Sequence, residues 1–254
     1  MAATAPFAFL CGMLAGSFAS VLAYRVPRGE PWVTGRSHCT SCGATIAAYD
    51  NIPVLSWIVL RGRCRSCHER IPARYPLTEL AMAALFAATV LVLGTGDPGE
   101  LALGLVFCAV LVIVTITDFE RRIIPNAVLA GAAVIGLAIV AATDPSSLPV
   151  RGIAAIGAGG FLLAVALAYP RGMGMGDVKL AAVMGLYLGR AVVPALAVAV
   201  AAGALVGLVL MAREGSSARK RAVPFGPFLA LGGVVGLLAG DQILDWYLDT
   251  FAAG

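Results

Sequence analysis

Charge is scarce in this sequence. Of its 254 residues, 13% are charged and 60% are hydrophobic, whereas a soluble domain carries about 25% charged residues. That shortage, with one long apolar run after another, excludes an ordinary water-soluble globule and predicts a polytopic protein of the lipid bilayer. Basic stretches interleaved with aromatics are also missing, which excludes nucleic acid as a partner. There is no low-complexity tail and no convincing internal repeat. Nor does any Lys or Arg precede the first apolar run, Pro6–Tyr24, so the basic n-region of a signal peptide is absent. The first positive charges, Arg25 and Arg28, follow that run, which predicts a retained span with its N-terminus outside.

About 20 apolar residues cross the hydrocarbon core. The runs predict about eight transmembrane helices and an all-α fold: Pro6–Tyr24, Leu77–Leu93, Leu101–Thr117, Asn126–Ala142, Gly152–Tyr169, Val178–Val193, Ala195–Met211 and Gly226–Trp246. Val178–Met211 is one apolar stretch, broken only by Gly189-Arg190 and Pro194. As a single helix it would extend about 50 Å, too long for one crossing. Two spans with Arg190 at the outer surface fit better. Charge agrees with this topology: of 18 Lys and Arg, only Arg151 and Arg190 fall on the outer side, as the positive-inside rule requires. The Arg219–Arg221 cluster would lie outside if the number of spans were odd.

Residues 25–76 form the one long hydrophilic segment, a small cytoplasmic domain between the first span (residues 1–24) and the remaining spans (residues 77–254). Cys39-Thr40-Ser41-Cys42 and Cys64-Arg65-Ser66-Cys67 are two C-x-x-C knuckles with the spacing of a four-thiolate zinc site. Four ligands close the zinc shell, so the metal is structural, and a segment of about 50 residues needs such a staple. The alternative, a pair of disulfides, conflicts with a reducing compartment. His38 and His68 adjoin the knuckles and are read as surface residues. Cys11 and Cys108 lie within spans and act as small apolar side chains.

Two acids sit at span boundaries, and acids there are costly. Asp118 ends the third span. Asp177 opens the sixth, behind Gly172, Gly174 and Gly176 in RGMGMGDVKL. The eight-span topology sends both to the inner face. Two carboxylates sharing a proton and a water can hydrolyse a peptide bond. Equally, Asp177 can simply cap its helix, and the residues alone leave dyad and cap open. Glu120 lies further into the loop beside Arg121 and Arg122, where a solvated ion pair suits it better. Lys179 reads as a residue snorkelling to the interface. Glu79, just inside the second span, is a candidate partner for a substrate amine or an Arg. Two readings from other classes stand beside the protease: a transporter with the acids as a proton relay, and a non-catalytic scaffold docking through its zinc module.

In chain order, Gly16-Ser17-Phe18-Ala19-Ser20-Val21, Tyr24-Arg25-Val26-Pro27, the two C-x-x-C knuckles, Asp50–Trp57, Arg74–Glu79, Asp118 with Ile124-Pro125-Asn126, Gly174–Leu180 and Pro224–Phe228 together resemble the prepilin peptidases, the bifunctional leader peptidase/N-methyltransferases of type IV pilus and type II secretion systems. Ser20 and Thr40 depart from that pattern, which has Asn and Pro there. The resemblance implies a bacterial inner-membrane enzyme. It cleaves the basic leader of prepilin or pseudopilin substrates after a Gly at the cytoplasmic face, with Asp118 and Asp177 as its dyad. It then methylates the new N-terminus with S-adenosylmethionine. The residues contacting the methyl donor, the particular substrate and the oligomeric state are left open.

Overall fold

The computed structural model describes residues 4–169, 172–214 and 224–251. Arg171 and the Arg219–Arg221 cluster, which contributed to the topology above, lie outside them. The fold is all-α. Among the described residues there is no strand, only two isolated antiparallel bridges. The chain divides into two compact units, Met1–Gly94 and Thr95–Gly254.

Unit 1 pairs α1 (Thr4–Arg25) with α3 (Arg74–Leu93). The buried side of α1 is a stripe of small residues, Ala8, Gly12, Gly16, Ala19 and Ala23. Lipid tails are as apolar as leucine, so helix association in a bilayer depends on close van der Waals packing, which small residues permit. A Cβ on Gly12 would lie 2.6 Å from Ala83 Cα, and one on Gly16 2.7 Å from Glu79 Cα. The polar segment between these helices contains the short helix α2 (Leu55–Val59) and otherwise turns. Arg25 gathers part of it, donating Nη1 to the carbonyls of Pro31 and Thr34 and Nη2 to that of Arg36.

Unit 2 contains α4 (Pro98–Arg121), α5 (Asn126–Thr143), α6 (Leu148–Ala168), α7 (Met175–Leu188), α8 (Val192–Glu214) and α9 (Gly226–Phe251). Asp97 caps α4, its Oδ1 accepting from the N–H groups of Gly99 and Glu100. Phe107, Leu111, Val114, Leu162, Leu180, Met184 and Leu229 are fully buried at its centre. Gly236 lets α9 close on α8, since a Cβ there would sit 2.7 Å from that of Ala195.

By length and composition, seven helical stretches among the described residues can cross a membrane, because Met175–Arg213 is one helical run of 39 residues. Its packing shows two helices. On α7, Gly176 meets Ile124 and Tyr187 stacks on Phe107 of α4. Gly226 and Gly233 of α9 approach Asp118 and Leu111 of α4 in turn. Both α7 and α9 are thus antiparallel to α4. Ala191, just before α8, meets Gly240, and on α8 Ala195 meets Gly236 and Gly203 meets Phe225, so α8 is antiparallel to α9 and therefore to α7. The chain reverses at the 3₁₀ turn Gly189–Ala191, where Gly189 takes φ +55°.

Arg151, expected at the outer surface, is buried. Its guanidinium donates to the carbonyls of Leu186 and Tyr187 at the end of α7 and to Glu100 of α4. The last carbonyls of a helix have no intrahelical partner, so Arg151 caps α7 from a neighbouring helix. Tyr187 completes the joint by donating its hydroxyl to Ala132 O at 2.7 Å.

Candidate active site and metal centre

The four cysteines of the two knuckles converge. Their sulfur atoms all lie within 4.8 Å of one another, and Cys39 Sγ and Cys67 Sγ are 3.9 Å apart. Tetrahedral zinc with bonds of about 2.3 Å puts thiolates about 3.8 Å apart, so the set fits that ion. All four are free thiols. The N–H groups of Cys42 and Ser41 bring the Cys39 thiol down to about 6, which supplies a first thiolate near neutral pH. Neither His38 nor His68 belongs to the cluster, and both are exposed.

The knuckles are a structural repeat offset by 25 residues, which the sequence does not announce. In the first, Cys39 N–H donates to Ala44 O, Gly43 N–H to Cys39 O and Ile46 N–H to Ser37 O. In the second, Cys64 N–H donates to Glu69 O, His68 N–H to Cys64 O and Ile71 N–H to Gly62 O. Each is closed by one bridge, His38–Thr45 and Arg63–Arg70. Gly43 and His68 hold equivalent positions in the left-handed region, at φ +72° and +59°. Only the two cysteines, a serine and an isoleucine recur in register, too few to reveal the repeat without its hydrogen bonds.

In unit 2, α4 continues past the expected end at Thr117 to Arg121. That places Asp118 in the last helical turn, where it is only 6% exposed. Its Oδ2 accepts from the N–H of Gly226 at 2.9 Å. Gly226 opens α9 with Pro227 behind it, and a helix N-terminus offers unpaired N–H groups to an anion. A Cβ at Gly226 would lie 2.6 Å from that oxygen. Asp177, 8% exposed, occupies the first turn of α7. Its Oδ2 accepts from Gly174 N–H at 3.2 Å, so the capping contact considered above is present.

Both acids lie toward the same end of unit 2. Measured from the stacked Phe107–Tyr187 pair, Asp118 is about 16 Å along α4 and Asp177 about 15 Å along α7. No ion pair among the described residues includes either acid. Among the described residues no buried side-chain oxygen or nitrogen lacks a partner, so carboxylate oxygens not held by the protein reach the surroundings. Glu120, by contrast, is exposed. Lys179 does not simply snorkel, since its Nζ donates to Asn126 Oδ1 at 2.8 Å and ties α7 to the start of α5.

Residues 10–93 match the family model described as Bacterial Peptidase A24 N-terminal domain, and residues 105–211 match that of the Type IV leader peptidase family. Three curated relatives, each named prepilin leader peptidase/N-methyltransferase, are 35% identical to the chain. One from Burkholderia pseudomallei aligns over 92% of this chain and 85% of its own length. Those from Bacillus subtilis and Aeromonas hydrophila align over 94% and 96% of this chain, and 96% and 93% of their own lengths. No solved structure matches significantly. The chain belongs to the type IV leader peptidase family.

Within this leader-peptidase chain the N-terminal match lies inside unit 1 and the other inside unit 2. One buried acid takes a partner that sequence reasoning missed. Glu79 pairs with no Arg. It is buried, and its Oε2 accepts from Val54 N–H at 2.7 Å. Val54 has φ +61°, a genuine outlier for a β-branched residue, and Glu79 holds it there. Gly226 was visible only as part of the Pro224–Phe228 motif, with nothing in the sequence to tie it to Asp118.

Proposed function

We propose that this protein is a membrane aspartyl endopeptidase that removes the leader of prepilin-like substrates and then N-methylates the new terminus, with Asp118 and Asp177 as the hydrolytic pair. The observation that carries the reading is the placement of two buried carboxylates toward one end of unit 2, neither of them in an ion pair among the described residues. A proton relay through a transporter would need acids near the bilayer midplane, and these stand at helix ends. The charge asymmetry of the loops favours the cytoplasmic face of the inner membrane for that end, with the N-terminus outside. A pilin-like substrate would lay its apolar helix in the bilayer and leave its basic leader inside, with the scissile bond after Gly at the depth of the pair.

Like charges at short range in a low dielectric share one proton. The ionised carboxylate takes a proton from water as the water oxygen bonds to the scissile carbonyl carbon. The protonated one donates to the carbonyl oxygen. The C–N bond then breaks, and the leaving amine takes up a proton. Gly226 N–H and Gly174 N–H hold one oxygen of each acid in place, so both arrive oriented. In the second activity a sulfonium donor, S-adenosylmethionine, when bound, would supply its methyl group to the amine nitrogen freed by cleavage. Cys39, Cys42, Cys64 and Cys67 would hold a structural zinc that keeps the polar segment folded.

The test is leader removal from a prepilin in membranes carrying Asp118→Asn or Asp177→Asn. Each change should lower cleavage about 10³-fold or more while membrane insertion and helix content persist. Full cleavage by either variant would reject the assignment, and the scaffold reading predicts that outcome.

A further inference from the structure

Unit 1 contains a cavity of about 440 Å³, walled by residues between Ser17 and Glu79, within the usual range for small-molecule sites. Of the six charged residues on its wall, Glu69 and Arg70 are exposed, and three others are engaged within the protein. Asp50 receives a two-pronged hydrogen bond from Arg65, at 2.7 and 2.6 Å. Arg25 is spent on backbone carbonyls. Glu79 is the buried carboxylate on this wall that enters no ion pair among the described residues. The aromatic wall is likewise partly taken. Guanidinium groups already lie over Tyr24, Tyr49 and Tyr75, but among the described residues none lies over Trp57. The wall therefore offers an unneutralised carboxylate and an indole with no cation upon it. That pairing suits a ligand with a positive pole and a flat ring, since cations favour both carboxylates and aromatic faces.

The geometry points to this cavity as the methyl-donor site of the chain, with Glu79 as counter-ion to the donor's positive pole and Trp57 against its ring system. The assignment rests on the N-methyl transfer proposed above. It gives Glu79 two tasks, because the same carboxylate fixes the strained Val54 that helps shape the wall. Cys39 and Cys64 also line the cavity, so the site depends on an intact metal cluster.

The experiment is calorimetric titration of the full-length detergent-purified protein with S-adenosylmethionine, with the neutral thioether S-adenosylhomocysteine, and with a peptide bearing the processed substrate N-terminus. Glu79→Gln keeps an acceptor for Val54 N–H and removes only the charge. Ser20→Phe fills the cavity from α1 and leaves Glu79 alone. Zinc content and thermal unfolding check that both variants are folded. Both should weaken donor binding about tenfold or more. A larger loss for the sulfonium than for the thioether places the sulfonium beside Glu79. Equal losses place the ammonium of the amino-acid moiety there, and either outcome supports the site. Wild-type affinity for the donor in both folded variants would overturn it, as would a loss confined to the peptide, which would make this the site of the product amine. Failure of the wild-type protein to bind the donor or transfer a methyl group would remove the underlying reading as well.

Discussion

The polar segment of unit 1 and the helices of unit 2 are held together by opposite means. Residues 26–73 bury few apolar side chains, and Trp32, Val33, Tyr49, Ile58 and Val59 are exposed. Their order comes from two hydrogen-bonded knuckles meeting at four thiols, the Arg25 fork and the Glu79–Val54 contact. Unit 2 has a large core, but apolar burial drives little where the surroundings are lipid. Its helices are joined by glycine-mediated contact and by a few polar joints such as Arg151 and Tyr187. A short segment in water needs cross-links, whereas helices in lipid need close fit. Perturbations should separate the two.

The largest expected effect is on the segment alone. A chelator should remove about one zinc per chain and leave residues 26–73 open to proteolysis, while the helicity of unit 2 stays unchanged. Cys64→Ser should do the same. Metal and protection retained in that variant would contradict the four-thiolate site. Next comes the polar joint. Arg151→Met should lower the stability of unit 2 by about 2–3 kcal/mol, read as a fall in melting temperature in detergent, with zinc content unaffected. Gly226→Ala should leave both units folded but push Asp118 from its place, cutting leader cleavage about tenfold to a hundredfold. The smallest effect returns to the knuckles. His68→Gly should keep or raise the stability of the zinc segment, by up to about 1 kcal/mol, because glycine adopts positive φ without strain. A clear loss would give His68 a role beyond its turn.

Much of this architecture was legible in the sequence because it is written in local patterns. Apolar runs marked the helices, and the Gly189-Arg190 break divided the long stretch where the chain does reverse. The C-x-x-C spacing announced the convergence of the four thiols. What stayed hidden depends on partners far along the chain. Nothing near Glu79 foretells that it holds Val54, 25 residues earlier. Arg151 looked like a loop charge because its carbonyl partners, Leu186 and Tyr187, come from another helix. Gly226 gained its meaning only when α9 met the end of α4, 108 residues away.

The most direct measurement is a double-mutant cycle on leader cleavage, with Asp118→Asn, Asp177→Asn and the double variant assayed side by side in membranes at equal expression. Two groups acting as one unit are non-additive. Each single variant should already fall to the level of the double. Separate, multiplying losses, or a single variant that still cuts at the wild-type rate, would contradict a shared-proton pair.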